Sequence, residues 1–216
     1  MKTLLDKLID QLDTLISFLA LSREDVFQLL NDHRLAWFPE NKDALPAVYE
    51  NYRKQINHSA LLLGYSYFES FLNDLLLQIL CKRPQMLPKA KKIDYSEILN
   101  SANKETLIVK IAQREIHELF YKNMADTVDE LQNKFNLSIT DEEKNSLILI
   151  SFIRNCIIHN SSRADFRLAR YDGFQEGHAF EVSTEKVHGY GLLLRSLVRR
   201  IYKDAQQKHG IDENKQ

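Results

Sequence analysis

Four residues near the C-terminal third of the chain have the types and spacing to do chemistry together. They are Arg154, Asn155, His159 and Asn160, set in the apolar run Ile150-Ser151-Phe152-Ile153-Arg154-Asn155-Cys156-Ile157-Ile158-His159-Asn160. Histidine exchanges protons near neutral pH. Arginine stays charged and presents a planar fork of donors to an oxyanion. Together they suit acid–base chemistry beside a negatively charged group, with the asparagines as hydrogen-bonding supports.

These residues must be positioned by a helix. From Leu147 to Ile158 the chain is apolar almost all round, the pattern of an internal helix. At about 100° per residue, Ser151, Arg154, Asn155 and His159 fall within an arc of roughly 140°. Asn155 and His159 stand one turn apart. A guanidinium among apolar residues is costly unless it is paired or binds an anion, so the stripe faces a partner, a cleft or an ion pair. Two plainer readings stay open: Arg154 paired with a carboxylate from another helix, and His159 interacting with the dipole at the helix end. Spacing alone decides nothing, because Arg53 and His58 repeat it within Arg-Lys-Gln-Ile-Asn-His. That second pair is surrounded by polar residues and reads as a solvated face.

The setting of the first pair carries more. Arg-Asn-Cys-Ile-Ile-His-Asn resembles the signature of the HEPN (higher eukaryotes and prokaryotes nucleotide-binding) family: an Arg followed by a polar residue, then a His after four to six positions. The motif covers about eight residues. The resemblance implies an all-α domain and a metal-independent endoribonuclease, working as a homodimer whose two Arg–His pairs meet in one composite site. It makes Arg154 and His159 catalytic and Asn155 their supporting polar residue; Asn160 lies next to the motif and is a candidate for a positioning role. RNA is then the substrate, because attack by the 2′-hydroxyl leaves a 2′,3′-cyclic phosphate and DNA has no such group. It also implies a toxin or anti-phage role, with an antitoxin or other defence-system protein as partner. In some toxin–antitoxin pairs of the family, a partner nucleotidyltransferase modifies a Tyr two positions after the motif His. Here that position is Ser161, a departure from that form of control. Members that have lost catalysis act as nucleotide- or RNA-binding regulatory modules, which is the rival reading.

The rest of the chain supplies scaffold and further candidates. Leu4, Leu5, Leu8, Leu12, Leu15, Ile16 and Leu19 predict a helix over 3–20. A second helix is expected from Ser22 to about Asp32, then a turn with Trp37, Phe38 and Pro39. The longest helix is expected over about 43–82, with Leu61, Leu62, Tyr65, Phe68, Phe71, Leu72, Leu75, Leu76 and Ile79 on its apolar face. Arg83-Pro84 ends it. Within it Glu69, a carboxylate among aromatics, either buttresses Arg154 or sits on the solvated face with Asn73. The stretch 83–93 holds Arg83, Lys89, Lys91 and Lys92, either a solvated linker or a phosphate contact.

Helices are expected at about 94–102, 104–121 and 124–136. Thr140 and Glu143 then form a capping box that opens the motif helix. Past Asn160, residues 164–182 read as a loop with one short hairpin, from Tyr171-Asp172-Gly173 and the alternating Phe180-Glu181-Val182. Arg163, Arg167 and Arg170 lie here, close to the motif, and are candidates for guiding a nucleic-acid strand. A last helix over 184–208, with Leu192, Leu193, Leu194, Leu197, Val198 and Ile201 in its core, stops at Gly210.

The whole predicts an all-α, up-and-down helical bundle with an irregular or hairpin insertion near 164–182. It is expected as a single HEPN-like domain over 1–216, the helices before about residue 42 packing on a bundle of 43–208. Composition agrees. The 216 residues are 44% hydrophobic and 27% charged, and only six are Gly and four Pro, which favours long helices over turn-rich β structure. Net charge is −1, so nucleic acid would need a local basic patch. Cys81 and Cys156 sit in apolar runs and read as two reduced, buried thiols. Early acidic residues at Asp6 and Asp10 break a secretory pattern, and no run is long enough to span a membrane, so the cytoplasm is the expected location. His58, His117, His178, His188 and His209 show no ligand-like grouping. No metal, no cofactor and no Gly-rich phosphate loop is expected.

Overall fold

The computed structural model describes residues 3–21, 45–88 and 92–211. The expectations for Ser22–Asp32, Trp37–Pro39, Lys89 and Lys91 fall outside these residues. The chain is an all-α helical bundle, with no strand among the described residues. Its helices are α1 (Leu4–Leu21), α2 (Leu45–Lys82), α3 (Tyr95–Leu99), α4 (Lys104–Phe120), α5 (Met124–Asn133), α6 (Asp141–His159) and α7 (Thr184–His209). None is long and apolar enough to cross a membrane.

The helix boundaries follow local chemistry. Thr3 and Asp6 cap the start of α1 reciprocally, each side chain taking the other's backbone N–H at 3.1 Å. α2 stops at Arg83-Pro84, where a 3-10 turn over Pro84–Met86 takes over. Asn103 and Asn123 cap α4 and α5 through their side-chain oxygens. The Thr140–Glu143 box forms in full: Glu143 accepts from the Thr140 amide at 2.9 Å, and Thr140 Oγ1 accepts from the Glu143 amide at 3.2 Å. Gly210, with φ of 65°, ends α7.

Two compact units divide the chain. The first comprises Met1–Leu8, Phe68–Ile148 and Ser196–Gln216. Its core gathers Phe71, Leu72, Leu75, Leu76 and Ile79 of α2 with Ile116, Val128, Leu131, Phe135, Val198 and Ile201. Polar ties fasten the end of α7: Arg200 pairs with Glu143, the Ser138 amide donates to Asp204 at 2.7 Å, and the ring of buried His209 meets Phe135 O at 2.7 Å.

The second unit comprises Ile9–Tyr67 and Leu149–Arg195. Leu12, Ala60, Leu61, Tyr65, Ile150, Ile153, Cys156, Leu168, Phe180, Val182, Val187 and Leu194 form its core. The segment between α6 and α7 is irregular rather than a hairpin. It has one isolated antiparallel bridge, Arg163 with Ala179, and a 3-10 turn at Leu168–Arg170. Two core assignments shift. Leu192 is 46% exposed, because its apolar neighbours Leu194, Leu197 and Val198 already fill the buried side of α7. Cys81 is half-buried; Cys156 is buried, and both thiols are free.

Candidate functional site

The whole motif lies in the second unit, on the last turns of α6. Ile150, Ile153 and Cys156 anchor this segment in the core, each 1% exposed or less. The helix ends abruptly after His159. Ser161 and Ser162 both take left-handed backbone, φ 50° and 60°, and the amides of Asn160 and Ser162 both turn back to Cys156 O at 3.1 and 3.0 Å. This sharp exit leaves His159 and Asn160 exposed at the tip.

Arg154 is half-buried. Its Nη1 donates to Asn155 Oδ1 at 2.9 Å, and its guanidinium carbon lies 6.0 Å from the centre of the Tyr65 ring. Among the described residues Arg154 makes no ion pair. The structure therefore brings Arg154 and Asn155 together, against the Tyr65 ring of α2, with no carboxylate paired to the arginine among the described residues. The His159 ring has no hydrogen-bond or ionic partner among the described residues. Ser151 departs from the expected stripe: it is 7% exposed and belongs to the core side. Glu69 lies on α2 one turn after Tyr65 and is half-buried.

The three arginines after the motif are in three different states. Arg163 Nη1 donates to Gly177 O at 3.1 Å. Arg167 is held by Asp165, whose Oδ2 accepts from Nε and Nη2 at 2.9 and 2.6 Å. Partial burial pushes the Asp165 carboxyl up. Hydrogen bonds from the Leu168 amide and Arg167 outweigh that and hold it below the usual carboxylate range. Arg170 is exposed, and its guanidinium meets only the Phe166 ring among the described residues, 5.7 Å from its centre.

The second Arg–His pair corrects the sequence reading. Arg53 is solvated and pairs with Glu50 at 3.5 Å, as a surface residue does. His58, in contrast, is only 3% exposed. Its Nδ1 lies 3.3 Å from Ser162 Oγ, in the exit turn of α6, and its Nε2 is buried with no partner among the described residues. The Phe180 ring packs at 6.1 Å. Neighbouring Asn57 is also buried; it donates to Val182 O at 3.0 Å and accepts from Thr184 Oγ1 at 3.2 Å. Burial, with help from the Lys54 ammonium, depresses the His58 pKa, and Glu181 opposes this only in part. Sequence reasoning missed His58, Asn57 and Ser162. Adjacent Asn and His on one helix, flanked by the apolar Ile56 and Ala60, were the available signal.

Two of the concave surfaces among the described residues lie away from the motif, and neither is lined by Arg154, Asn155 or His159. One, about 360 Å³ in the first unit, is lined by Leu80, Ile116, Leu119 and Phe135 together with Lys122, Glu130 and Lys134. The other, about 590 Å³ in the second unit, is open and formed by Gly173–Gln175 and His178–Glu181. No three His, Cys, Asp or Glu side chains among the described residues group as metal ligands. Burial raises the Cys81 and Cys156 thiols above their ordinary value, which suits packing rather than nucleophilic attack.

Taken together, the end of α6 presents an exposed imidazole at His159 and a half-buried guanidinium at Arg154, and of the three arginines that follow only Arg170 has no hydrogen-bond or ionic partner among the described residues. Comparison of the chain with protein-family models, curated proteins and solved structures finds no match.

Proposed function

We propose that the chain is a metal-independent endoribonuclease of HEPN type, acting as a homodimer with Arg154 and His159 as its catalytic residues. One observation carries the reading. On an otherwise core-bound helix, an arginine with no carboxylate partner among the described residues is followed five positions later by an exposed imidazole. A structural arginine inside a bundle is expected to show an ion pair. Arg154 instead keeps its charge available for a phosphate.

In the reaction, neutral His159 takes the proton of a ribose 2′-hydroxyl and the 2′-oxygen attacks the adjacent phosphorus. The bond from phosphorus to the 5′-oxygen breaks, and that oxygen takes its proton from a protonated imidazole of the second copy. The products are a 2′,3′-cyclic phosphate and a 5′-hydroxyl. Arg154 neutralises charge on the non-bridging oxygens, while Asn155 limits where its guanidinium points. On one helix Arg154 and His159 diverge by roughly 140°. Two copies meeting across a two-fold axis complete the constellation more readily than one chain. The toxin or anti-phage role, and an antitoxin or defence-system partner, belong to this reading as its cellular setting.

The test is incubation of the pure chain with structured and single-stranded RNAs in chelator, beside His159→Ala and Arg154→Ala. Cleavage by the native chain, reduced about 10²- to 10⁴-fold in His159→Ala, is the expected result. Equal cleavage by the variants, or none by the native chain across the RNAs, overturns the proposal. Light scattering checks for the dimer.

A further inference from the structure

The segment after the motif builds an aromatic and cationic surface whose parts have unequal freedom. Phe166 is 58% exposed, a large apolar side chain left in water. Two guanidiniums flank it, Arg167 at 5.8 Å and Arg170 at 5.7 Å from the ring centre. Arg167 also lies over Phe152 at 5.4 Å, and Phe152 meets Tyr171 edge-on at 6.2 Å. Asp165 locks Arg167 in this position, so Arg167 serves as a strut between the insertion and α6 and its charge is largely spent. Arg163 is fastened to Gly177. That leaves Arg170 as the cation of this group with no hydrogen-bond or ionic partner for its guanidinium among the described residues.

The surface is also aligned with the motif. Phe152 precedes His159 by seven residues on α6, so the two stand about 20° apart around the helix and about 10 Å apart along it. A strand that lies against Phe152 and follows this side of α6 passes His159, and Arg167 links Phe152 to Phe166. Between Arg163 and Arg170 three arginines face a single acidic residue, Asp165, so the local charge is complementary to a phosphate backbone although the whole chain carries −1.

We infer that Phe166 and Arg170 form a clamp for one nucleotide of single-stranded RNA, the base stacking on the open surface of the Phe166 ring and the Arg170 guanidinium binding the neighbouring phosphate. This rests on the ribonuclease reading for the identity of the strand. Base–aromatic stacking tolerates any base, so the clamp positions the strand without choosing its sequence. Arg170 adds a contact that salt weakens.

The experiment measures binding separately from cleavage. The full chain carrying His159→Ala is titrated with a fluorescein-labelled single-stranded RNA, and anisotropy is followed over a range of salt. In that background Phe166→Ala is expected to weaken binding roughly tenfold, with Phe166→Tyr retaining it. Arg170→Ala is expected to lower the slope of log K against log salt by about 0.7, the share of one phosphate contact on a single strand. Unchanged affinity in Phe166→Ala overturns the clamp, as does a loss of self-association with RNA affinity unaltered, which would make Phe166 a protein contact. Absence of RNA binding by the His159→Ala chain overturns it as well. The two proposals fail separately: a native chain that binds RNA through Phe166 but never cleaves keeps the clamp and loses the nuclease, and a chain that cleaves while Phe166→Ala binds normally does the reverse.

Discussion

Two stretches of this chain carry the same Arg-to-His spacing and end in opposite environments. On α2, Arg53 and His58 sit among Lys, Gln and Asn, yet His58 is 3% exposed. On α6, Arg154 and His159 sit among Ile, Cys and Phe, yet His159 is exposed. Neighbours in sequence suggest the reverse of each. The reason is what lies across from each position. His58 falls mid-helix and is covered by the irregular 160–183 segment, through Ser162 and Phe180. His159 is the last residue of its helix, and the left-handed turn at Ser161 and Ser162 carries the chain away from it. Burial is thus a property of what packs on a residue; local polarity is a poor proxy for it. The His159 imidazole is open to solvent, whereas His58 is packed into the core with one ring nitrogen unpartnered among the described residues.

The comparison breaks most sharply in activity and stability measured together. His159→Ala should remove cleavage while leaving thermal and urea unfolding within about 0.5 kcal/mol of native, since an exposed side chain without partners contributes little to the fold. His58→Ala should do the opposite. It empties a buried site and strips Ser162 of its partner, costing about 2–3 kcal/mol, with cleavage falling only as far as the fold loosens. A stable His58→Ala chain with no activity would reverse the assignment of the two histidines.

A smaller effect follows from protonation. The groups facing His58 are Lys54 on its own helix, Glu181 and Ser162 from the insertion, and the Phe180 ring; Lys54 and Glu181 also pair with each other at 3.5 Å. Burial holds the folded pKa of His58 below its ordinary value of 6.5. The unfolded chain therefore binds more protons once the pH drops under 6.5. Stability is full above that pH, declines as the pH is lowered toward the folded value, and levels off below it. Unfolding free energy should fall as the pH is lowered below about 6.5, and His58→Gln should remove that slope. Glu143, Asp165 and Asp204 also have lowered values, but their ordinary values of 4.5 and 3.8 place their losses at lower pH. A slope that persists in His58→Gln would place the proton elsewhere.

Periodicity and punctuation made the scaffold legible. The leucines of α1, the aromatic and leucine face of α2, the Arg83-Pro84 stop, the Thr140–Glu143 box and the Gly210 stop all occupy the places their chemistry dictates. The segment between α6 and α7 was not legible, because an irregular chain held by one bridge and scattered side-chain ties has no period to read. Everything that segment touches was hidden with it: the burial of His58 and Asn57, the strut from Arg167 to Phe152, and the exposed Phe166. At the motif, the sequence placed Arg154, Asn155 and His159 on one helix end. It did not distinguish Ser151, which turns inward, from the exposed His159.

The finest test of the contrast lies in the two serines that separate the histidines' fates. Ser161 and Ser162 each hold a backbone that non-glycine residues adopt at a cost of about 1 kcal/mol. Ser161 is exposed and has no side-chain partner among the described residues, so Ser161→Gly should relieve the strain. Part of that gain is offset by the greater freedom of glycine in the unfolded chain, leaving a net stabilisation of about 0.5 kcal/mol in urea unfolding. Ser162→Gly relieves similar strain but deletes the hydroxyl 3.3 Å from His58 Nδ1, leaving both ring nitrogens of a buried imidazole without a partner among the described residues. Its net effect should therefore be destabilising, and the difference between the two variants measures the Ser162–His58 contact. Equal stabilisation by both would mean the hydroxyl does nothing for His58. Its burial would then rest on the Asn57 hydrogen bonds and the Phe180 ring, and the exit turn of α6 would be free to move without disturbing α2.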